Sequence, residues 1–221
     1  MTTPKVSIVI PVHNALRYIR ETLTTLTEKT RSVAYEVIVV DNGSRLPTKL
    51  YLAFAVAHRR IDCLVTPQQN LYFAKGNNLG ASLASADSTH VLLLNSDVRI
   101  NSADWLAALL AHHRTGATAF GYCPDVPQRA DGFCFLVDKD LYLKYRLDES
   151  FPWWWSITKL QAELLRDGYS VVAIKNHENY LHHYGGKSNV SEERLRESRQ
   201  YNHDEVIRWF GDRRIAVLDH A

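Results

Sequence analysis

The stretch that most constrains this chain is an uninterrupted apolar run, residues 91–94, that ends abruptly on Asn95, Ser96 and Asp97. Such a run, bounded by polar residues, predicts a strand buried on both faces of a sheet. In an open α/β sheet, ligands bind beyond the carboxyl ends of the strands. This strand would deliver Asp97 to that edge, which favours a metal or phosphate site. Taken alone, the same triplet is equally typical of a polar turn.

The first half of the chain alternates strand-like and helix-like segments. Apolar runs predict strands at residues 6–10, 36–40, 61–65 and 91–94. Between them we expect a helix capped by Asn14, a second helix from Pro47 to about residue 59, and a third at 79–84 after a Gly/Asn-rich loop at 70–80. This βαβ alternation predicts an α/β fold with a parallel sheet.

The second half alternates less regularly. The pattern predicts a helix at 103–114, a helix capped by Ser156 that ends at Gly168, and strands at 118–122, 132–137 and 170–174. A GxGxxG motif is missing after the first strand, as is the GxxxxGK[ST] motif, so neither a Rossmann dinucleotide site nor a P-loop is expected.

Composition excludes several classes of protein. A net charge of +2 is too small to indicate a nucleic-acid partner, and 46% apolar with 23% charged residues is typical of a globular protein. Cys63, Cys123 and Cys134 form no CxxC pair and are odd in number, so neither a disulfide framework nor a zinc site is favoured. The first apolar run, residues 6–12, is too short for a signal peptide or membrane span, which makes the cytoplasm the default location.

Polar side chains follow three of the predicted strands. They come from residues 11–14, 41–44 and 95–97, which should meet at one edge of a parallel sheet. Asp41 could accept hydrogen bonds from a base, and Asp97 could hold a divalent cation against a diphosphate. Lys75, in the Gly/Asn-rich loop with Asn78, could close on a ribose or phosphate.

The order and spacing of these segments resemble the family 2 glycosyltransferases, inverting enzymes of the GT-A fold that use nucleotide-sugar donors. The motifs that match are VSIVIPVHN (6–14), EVIVVDNGS (36–44), QNLYFAKGNNLG (69–80), LLLNSDV (92–98), DGFCFLVDKD (131–140), RLDESF (146–151), LLRDGYSVV (164–172) and HHYGGKS (182–188). The resemblance implies one GT-A domain, with a nucleotide-sugar half at about 1–100, an acceptor half at about 101–190 and a C-terminal helical segment at 191–221.

The resemblance also implies roles for individual residues. The nucleotide would be bound by Pro11, His13, Asn14, Asp41, Lys75, Asn78, Asn95 and Ser96. Asp97 closes the family's Asp-x-Asp motif, whose first acid is Asn95 here, and would bind Mn²⁺ or Mg²⁺. His183 would be a second metal ligand or a pyrophosphate contact, although it could instead belong to a surface pair with His182. The 69–80 and 95–97 motifs resemble the bacterial rhamnosyltransferase-type branch, a weak indication of a deoxythymidine diphosphate donor.

The departure from the family lies at the catalytic base. Its acidic pair should fall at Ser156 and Ile157, and its next acid at Lys159. We weigh four explanations: the base has moved to Asp148 or Glu149; another acid, Asp125 or Asp131, takes its place; the reaction does not invert; or catalysis is lost and only binding remains. The first is preferred, although the 148–149 loop could be purely structural.

Three consecutive tryptophans, Trp153, Trp154 and Trp155, precede the missing pair. One face of a helix cannot bury all three rings, so they could stack on an acceptor sugar, contact a second subunit as in a homodimer, or meet a lipid-linked acceptor at the membrane surface. The mixed charges of 191–210 favour a solvated helix face instead.

The leading hypothesis is a cytoplasmic, metal-dependent glycosyltransferase, at the inner face of the plasma membrane if peripherally bound. It would move a sugar from a donor such as dTDP-rhamnose or a UDP-sugar to a glycan or lipid-linked acceptor in bacterial surface polysaccharide or lipopolysaccharide synthesis. The alternative is a non-catalytic sugar-nucleotide-binding module or partner subunit. A nucleotidyltransferase is disfavoured because a Gly-rich phosphate loop is missing after the first strand.

Overall fold

The apolar runs of the sequence form the centre of an eight-stranded sheet in the computed structural model, which describes residues 3–186 and 203–221. The strands are Lys5–Val12 (β1), Ala34–Asp41 (β2), Cys63–Val65 (β3), His90–Leu94 (β4), Val98–Ile100 (β5), Gly116–Phe120 (β6), Tyr122–Cys123 (β7), Arg129–Ala130 (β8), Cys134–Asp138 (β9), Ser170–Ile174 (β10), Leu181–His183 (β11) and Ala216–Leu218 (β12). The helices are Leu16–Lys29 (α1), Leu46–Ala57 (α2), Tyr72–Ser82 (α3), Trp105–Ala111 (α4), Lys139–Tyr145 (α5), Trp154–Arg166 (α6) and His203–Phe210 (α7).

The strand order of the main sheet is β12-β10-β6-β9-β4-β1-β2-β3. β9 runs antiparallel to both of its neighbours, β4 and β6, and the other strand pairs of this sheet are parallel. The predicted α/β class with a mainly parallel central sheet is therefore confirmed. Two small antiparallel pairs, β5 with β11 and β7 with β8, lie outside this sheet.

Helices cover both faces of the sheet. Alternate residues of β4 show this arrangement: Leu92 and Leu94 pack in one buried cluster with α1, α2 and α4, whereas Val91 and Leu93 pack in the other with α3, α5 and α6. Side chains alternate across a strand. The uninterrupted apolar run at 91–94 therefore does indicate a strand buried on both faces, as predicted.

The third helix differs from its prediction. It begins at Tyr72, inside the stretch that was expected to be a loop. Its glycines, Gly76 and Gly80, allow the helix to pack closely against the sheet and do not make this segment a loop. A Cβ on Gly80 would lie 2.3 Å from Val9 Cγ1, and one on Gly76 would lie 3.1 Å from Asn42 Nδ2. Glycine at these positions lets α3 lie directly against β1 and β2.

Two predicted helix caps are wrong. Ala15, not Asn14, precedes α1, and the Asn14 side chain bonds to other groups. The helix predicted to start after Ser156 starts at Trp154, and the Ser156 hydroxyl donates a hydrogen bond to the Trp153 carbonyl within its first turn.

None of the helices in the described parts of the chain is both long enough and apolar enough to span a membrane. The predictions for Ser188, for the Trp154 side chain and for residues 191–202 of the C-terminal segment lie outside the described residues.

Candidate functional site

The carboxyl ends of β4, β1 and β2 lie side by side, because these strands are adjacent in the sheet. Val12 and Asp41 are register partners, and the Asn42 backbone amide extends the ladder with a 2.8 Å hydrogen bond to the Val12 carbonyl. The edge predicted to gather residues 11–14, 41–44 and 95–97 is therefore formed as expected.

Hydrogen bonds between the two loops fix His13 and Asn14. His13 Nδ1 lies 2.8 Å from the Asn42 carbonyl oxygen. Asn14 has a left-handed backbone, with φ of 53°, and its Oδ1 accepts a hydrogen bond from the Arg45 amide. Its own backbone amide donates to the Ser44 hydroxyl at 3.0 Å. The result is a rigid, polar rim beside Asp41.

Asp41 lies almost completely buried beneath this rim, with 1% of its surface exposed. One carboxylate oxygen, Oδ1, accepts a hydrogen bond from the Ser44 amide at 2.9 Å, which orients the carboxylate. On the other side, a Cβ added to Gly76 would lie 3.4 Å from Pro11 Cβ, so α3 borders the same edge. Lys75, the residue before it, is exposed.

Asp97 and His183 meet at the end of β4. The antiparallel pair of β5 and β11 makes His183 the register partner of Val98, and it places His183 Nε2 3.3 Å from Asp97 Oδ1. Asn95 Nδ2 lies 3.2 Å from the same imidazole nitrogen. Residues that are 86 positions apart in the sequence (183 − 97) thus form one cluster.

Two residues that the sequence did not single out hold this cluster. Thr22 of α1 donates its hydroxyl to the Ser96 carbonyl at 3.0 Å and accepts the Val98 amide at 3.2 Å, which fixes the turn around Asp97. Phe133 stacks on the His183 ring with 4.3 Å between the ring centres and 15° between the planes. Thr22 has no visible signal in the sequence, whereas Phe133 lies in the DGFCF motif.

The loop with the two candidate bases, Asp148 and Glu149, precedes α6. Asp148 forms an ion pair with Lys159 and accepts hydrogen bonds from both the amide and the hydroxyl of Ser150. Burial raises the pKa of Asp148, but the hydrogen bonds from Lys159 and Ser150 outweigh burial and leave the pKa below its ordinary value. A carboxylate whose pKa is lowered by an ion pair with a lysine is a poor proton acceptor.

Glu149 is exposed, and its Oε1 accepts a 3.1 Å hydrogen bond from Asn78 Nδ2. The same Asn78 amide group donates to the Leu147 carbonyl, and its oxygen accepts from the Leu147 amide and the Tyr142 hydroxyl. Burial raises the pKa of Tyr142, so this hydroxyl stays protonated. Because Asn78 is buried and both of its polar atoms bond to this loop, the structure does not favour its predicted contact with a nucleotide.

The positions where the family's acidic pair was expected are closed to substrate. Ser156 is fully buried, and Ile157 is 5% exposed in the core. Lys159, where a further acid was expected, instead pairs with Asp148. The chain therefore does not provide a base at the start of α6.

The two rings of this tryptophan triplet that the structure describes pack on different elements, and the acceptor contact expected of the three tryptophans stays a prediction. Trp153 contacts the Tyr72 ring at 5.6 Å, beside the start of α3. Trp155 lies near Arg129 of β8, whose guanidinium carbon is 5.9 Å from the ring centre. Trp155 also lines an open groove of about 450 Å³ with Asp125, Val126, Pro127, Arg129 and Val206.

Solved glycosyltransferases have the same architecture. The chain aligns with glucosyl-3-phosphoglycerate synthase from Mycobacterium tuberculosis, in complex with Mn²⁺, UDP and phosphoglyceric acid, with a TM-score of 0.69 at 13% identity over 94% of this chain and 79% of that one. It aligns with the mannosyltransferase PcManGT from Pyrobaculum calidifontis, in complex with GDP-Man and Mn²⁺, with a TM-score of 0.65 at 19% identity over 79% of this chain and 55% of that one. At these identities the likeness shows the fold, which is the GT-A fold predicted above.

The sequence comparison then gives the family. The model of glycosyl transferase family 2 matches residues 7–171, and the chain belongs to that family. It is 38% identical over 93 residues to glycosyltransferase AglE of Haloferax volcanii, covering 39% of this chain and 31% of the relative. It is 33% identical over 129 residues to the uncharacterized protein y4gI of Sinorhizobium fredii, covering 56% of this chain and 14% of the relative. The chain thus spans less than a third of either curated relative. The predicted family is confirmed, and the rhamnosyltransferase-type branch stays a prediction.

Proposed function

We propose that this domain transfers a sugar from a nucleoside diphosphate donor to a hydroxyl of a glycan or lipid-linked acceptor, with a divalent cation held by Asp97 and His183. The observation that carries the proposal is the 3.3 Å approach of Asp97 Oδ1 and His183 Nε2 at the carboxyl edge of the sheet. Asp41 and residues 11–14, which include His13, lie at the same edge, and their polar groups are suited to binding a nucleotide.

The two side chains fit a cation by their spacing and their chemistry. Ligand atoms bound at about 2.1 Å and at right angles to each other are separated by about 3 Å. An imidazole with a carboxylate suits Mn²⁺ better than Mg²⁺, which prefers oxygen ligands alone. PcManGT and glucosyl-3-phosphoglycerate synthase were both solved with Mn²⁺. A cation bound there supplies charge stabilisation to the departing diphosphate.

The chain's own groups then position the donor. One oxygen of the buried Asp41 carboxylate accepts a hydrogen bond from the Ser44 backbone amide. The other oxygen can then accept a hydrogen bond from the nucleobase of the donor. Pro11, His13 and Asn14 would line the nucleotide pocket, and the exposed Lys75 ammonium would reach a phosphate from α3. Asn95 and Ser96, which directly precede Asp97, would also contact the nucleotide.

Glu149 is the residue that we assign as general base. Its carboxylate is exposed, and a buried amide from Asn78 holds it, whereas Lys159 neutralises Asp148. Glu149 would take the proton of the acceptor hydroxyl as that oxygen attacks the anomeric carbon from the side opposite the diphosphate, which gives inversion. Asp125 and Asp131 are the alternative bases. Each already has a partner: Arg129 lies 3.5 Å from Asp125, and the Gly132 amide donates to Asp131.

The donor and acceptor are proposed more broadly. The donor is a UDP-sugar or dTDP-rhamnose, supported by the UDP complex of glucosyl-3-phosphoglycerate synthase and by the 69–80 motif. The acceptor would enter by the groove beside Trp155 and Arg129. We place the reaction in bacterial surface polysaccharide or lipopolysaccharide synthesis at the cytoplasmic face of the membrane. Peripheral membrane association and a homodimer are part of the same proposal.

The test is turnover of a panel of nucleotide sugars with Mn²⁺, Mg²⁺ or a chelator, with and without candidate acceptors. We expect turnover that requires the cation and that falls at least a hundredfold in Asp97→Asn. Asp87→Asn is the matched control, because Asp87 is an exposed partner of Lys5, remote from the donor edge. Full turnover by Asp97→Asn would refute the role of Asp97.

A non-catalytic sugar-nucleotide-binding domain or partner subunit is the second candidate, favoured by the loss of the acidic pair to Ser156 and Ile157. It predicts Mn²⁺-dependent nucleotide binding with zero turnover across the donor and acceptor panel. Any turnover that depends on Asp97 excludes it.

A further inference from the structure

A second cluster of potential metal ligands lies at the opposite edge of the sheet from Asp97. It consists of His90, the first residue of β4; His113, just after α4; and Asp138, the last residue of β9. One ligand atom from each lies within 4.8 Å of the other two. Asp138 is central: its Oδ2 is 3.3 Å from His113 Nε2, and its Oδ1 is 3.8 Å from His90 Nε2.

The outward nitrogens of both imidazoles have hydroxyl partners. His90 Nδ1 lies 2.7 Å from Thr89 Oγ1, and His113 Nδ1 lies 3.1 Å from Thr118 Oγ1. If each Nδ1–H donates to its hydroxyl, each Nε2 turns a lone pair toward Asp138. A hydrogen-bonded outer nitrogen of this kind is the usual arrangement around a metal-bound histidine.

His113 Nε2 is nearly buried and has only a poorly aligned polar contact. Its side chain is 9% exposed, and its Nε2 lies 3.3 Å from Asp138 Oδ2 without forming a well-aligned hydrogen bond within residues 3–186 and 203–221. A buried polar atom held by so poor a contact fits a site that an ion completes.

The spacing of these atoms is close to that of a tetrahedral site. Ligands bound to Zn²⁺ at about 2.05 Å in tetrahedral geometry lie about 3.3 Å apart. Asp138 Oδ2 and His113 Nε2 already have this separation, whereas Asp138 Oδ1 and His90 Nε2 are half an ångström farther apart (3.8 − 3.3). Because these two contacts use different oxygens of Asp138, and one ligand atom from each residue lies within 4.8 Å of the other two, the carboxylate and the imidazoles would turn toward a shared cation. Water would occupy the fourth position.

The cluster is separate from the donor site. His90 and Asn95 lie at opposite ends of β4, five residues apart, which at about 3.3 Å per residue is about 16 Å. One cation cannot contact both clusters.

We propose that His90, His113 and Asp138 form a structural Zn²⁺ site that joins β4, β9 and the α4–β6 connection. These segments are far apart in the sequence, so a cation that bridges them stabilises only the folded chain. Nothing in the transfer reaction requires this site, and the proposal stands independently of the proposed function.

The experiment adds Zn²⁺ alone to chelator-treated protein and follows binding by calorimetry and stability by thermal unfolding. The protein used is Asp97→Asn/His183→Gln, which removes the donor-edge ligands. We expect one Zn²⁺ per chain in this background, and a rise in Tm of about 5–10 °C at a hundredfold excess over Kd. Adding His113→Gln should abolish both effects. The matched control is the adjacent His112→Gln, which should change neither.

Two outcomes would overturn the proposal. One is Zn²⁺ binding that survives His113→Gln unchanged, and the other is zero binding in the Asp97→Asn/His183→Gln background. Should His113→Gln fail to fold, His90→Gln and the Co²⁺ spectrum decide, both in the Asp97→Asn/His183→Gln background. Tetrahedral nitrogen and oxygen ligation gives intense visible absorption that His90→Gln should remove, and a weak octahedral spectrum in that background would contradict the site.

Discussion

Replacing Glu149 by glutamine separates the charge of this side chain from its position. Glutamine retains a carbonyl oxygen that can accept the 3.1 Å hydrogen bond from Asn78 Nδ2, so the loop should keep its structure. Only the ability to take a proton is lost. A positioned general base contributes about 10²- to 10⁴-fold to the rate, which corresponds to about 3–5 kcal/mol of transition-state stabilisation. We expect kcat to fall by that factor while KM for the donor stays within about twofold of its original value.

The comparison variant is Asp148→Asn, on the neighbouring residue. Because Lys159 already neutralises Asp148, removing its charge should lower kcat less than tenfold. The assay is initial-rate transfer at saturating Mn²⁺, together with thermal unfolding to confirm that each variant is folded. A Glu149→Gln enzyme with its original kcat would refute the assignment. If Asp148→Asn were then the slow variant, Asp148 would be the base; if both were fast, Asp125 and Asp131 would remain.

Three further predictions concern the scaffold. Gly80→Ala should lower Tm by about 2–10 °C in a thermal melt, because the new Cβ would lie 2.3 Å from Val9 Cγ1 and overpacking costs about 1–3 kcal/mol. Asn78→Ala should destabilise the fold by about 1–3 kcal/mol in urea unfolding, since the buried Leu147 amide and carbonyl lose their partner. The lowered pKa of Asp148 adds stability above its unfolded pKa of about 3.9, and this is lost as pH falls through the lower folded pKa. Because the two side chains of this pair are 29% and 31% exposed, the loss should be less than about 1 kcal/mol. It is measured as the difference in urea midpoint between the unsubstituted chain and Asp148→Asn from pH 6 to pH 2.

The sequence predicts the sheet of the first half of the chain well because local, periodic signals specify its strands. The uninterrupted apolar run ending at Asn95 indicates a doubly buried strand, and the polar residues after β1, β2 and β4 fall where a parallel sheet must place them. The sequence does not predict the start of α3, because Gly76 and Gly80 are typical of a loop, whereas in the fold they allow close packing against β1 and β2. Local residue propensities do not distinguish a glycine in a flexible loop from a glycine at a close helix–sheet contact.

The other features of the candidate site depend on contacts between segments that are distant in the sequence. His183 reaches Asp97 only because β5 pairs with β11, and strands this short give no clear pattern in the sequence. The ion pair of Lys159 with Asp148 and the convergence of His90 and His113 on Asp138 likewise arise only when the chain is folded.

The most direct measurement of the central claim is a double-mutant cycle on UDP binding, with Asp97→Asn, His183→Gln and the double variant, each titrated with and without Mn²⁺. If both side chains hold one cation, Mn²⁺ strengthens UDP binding to the unsubstituted chain. Each single variant then loses most of that gain, and the double variant loses little more. A gain that survives Asp97→Asn, or losses that simply add in the double variant, would contradict a shared metal site.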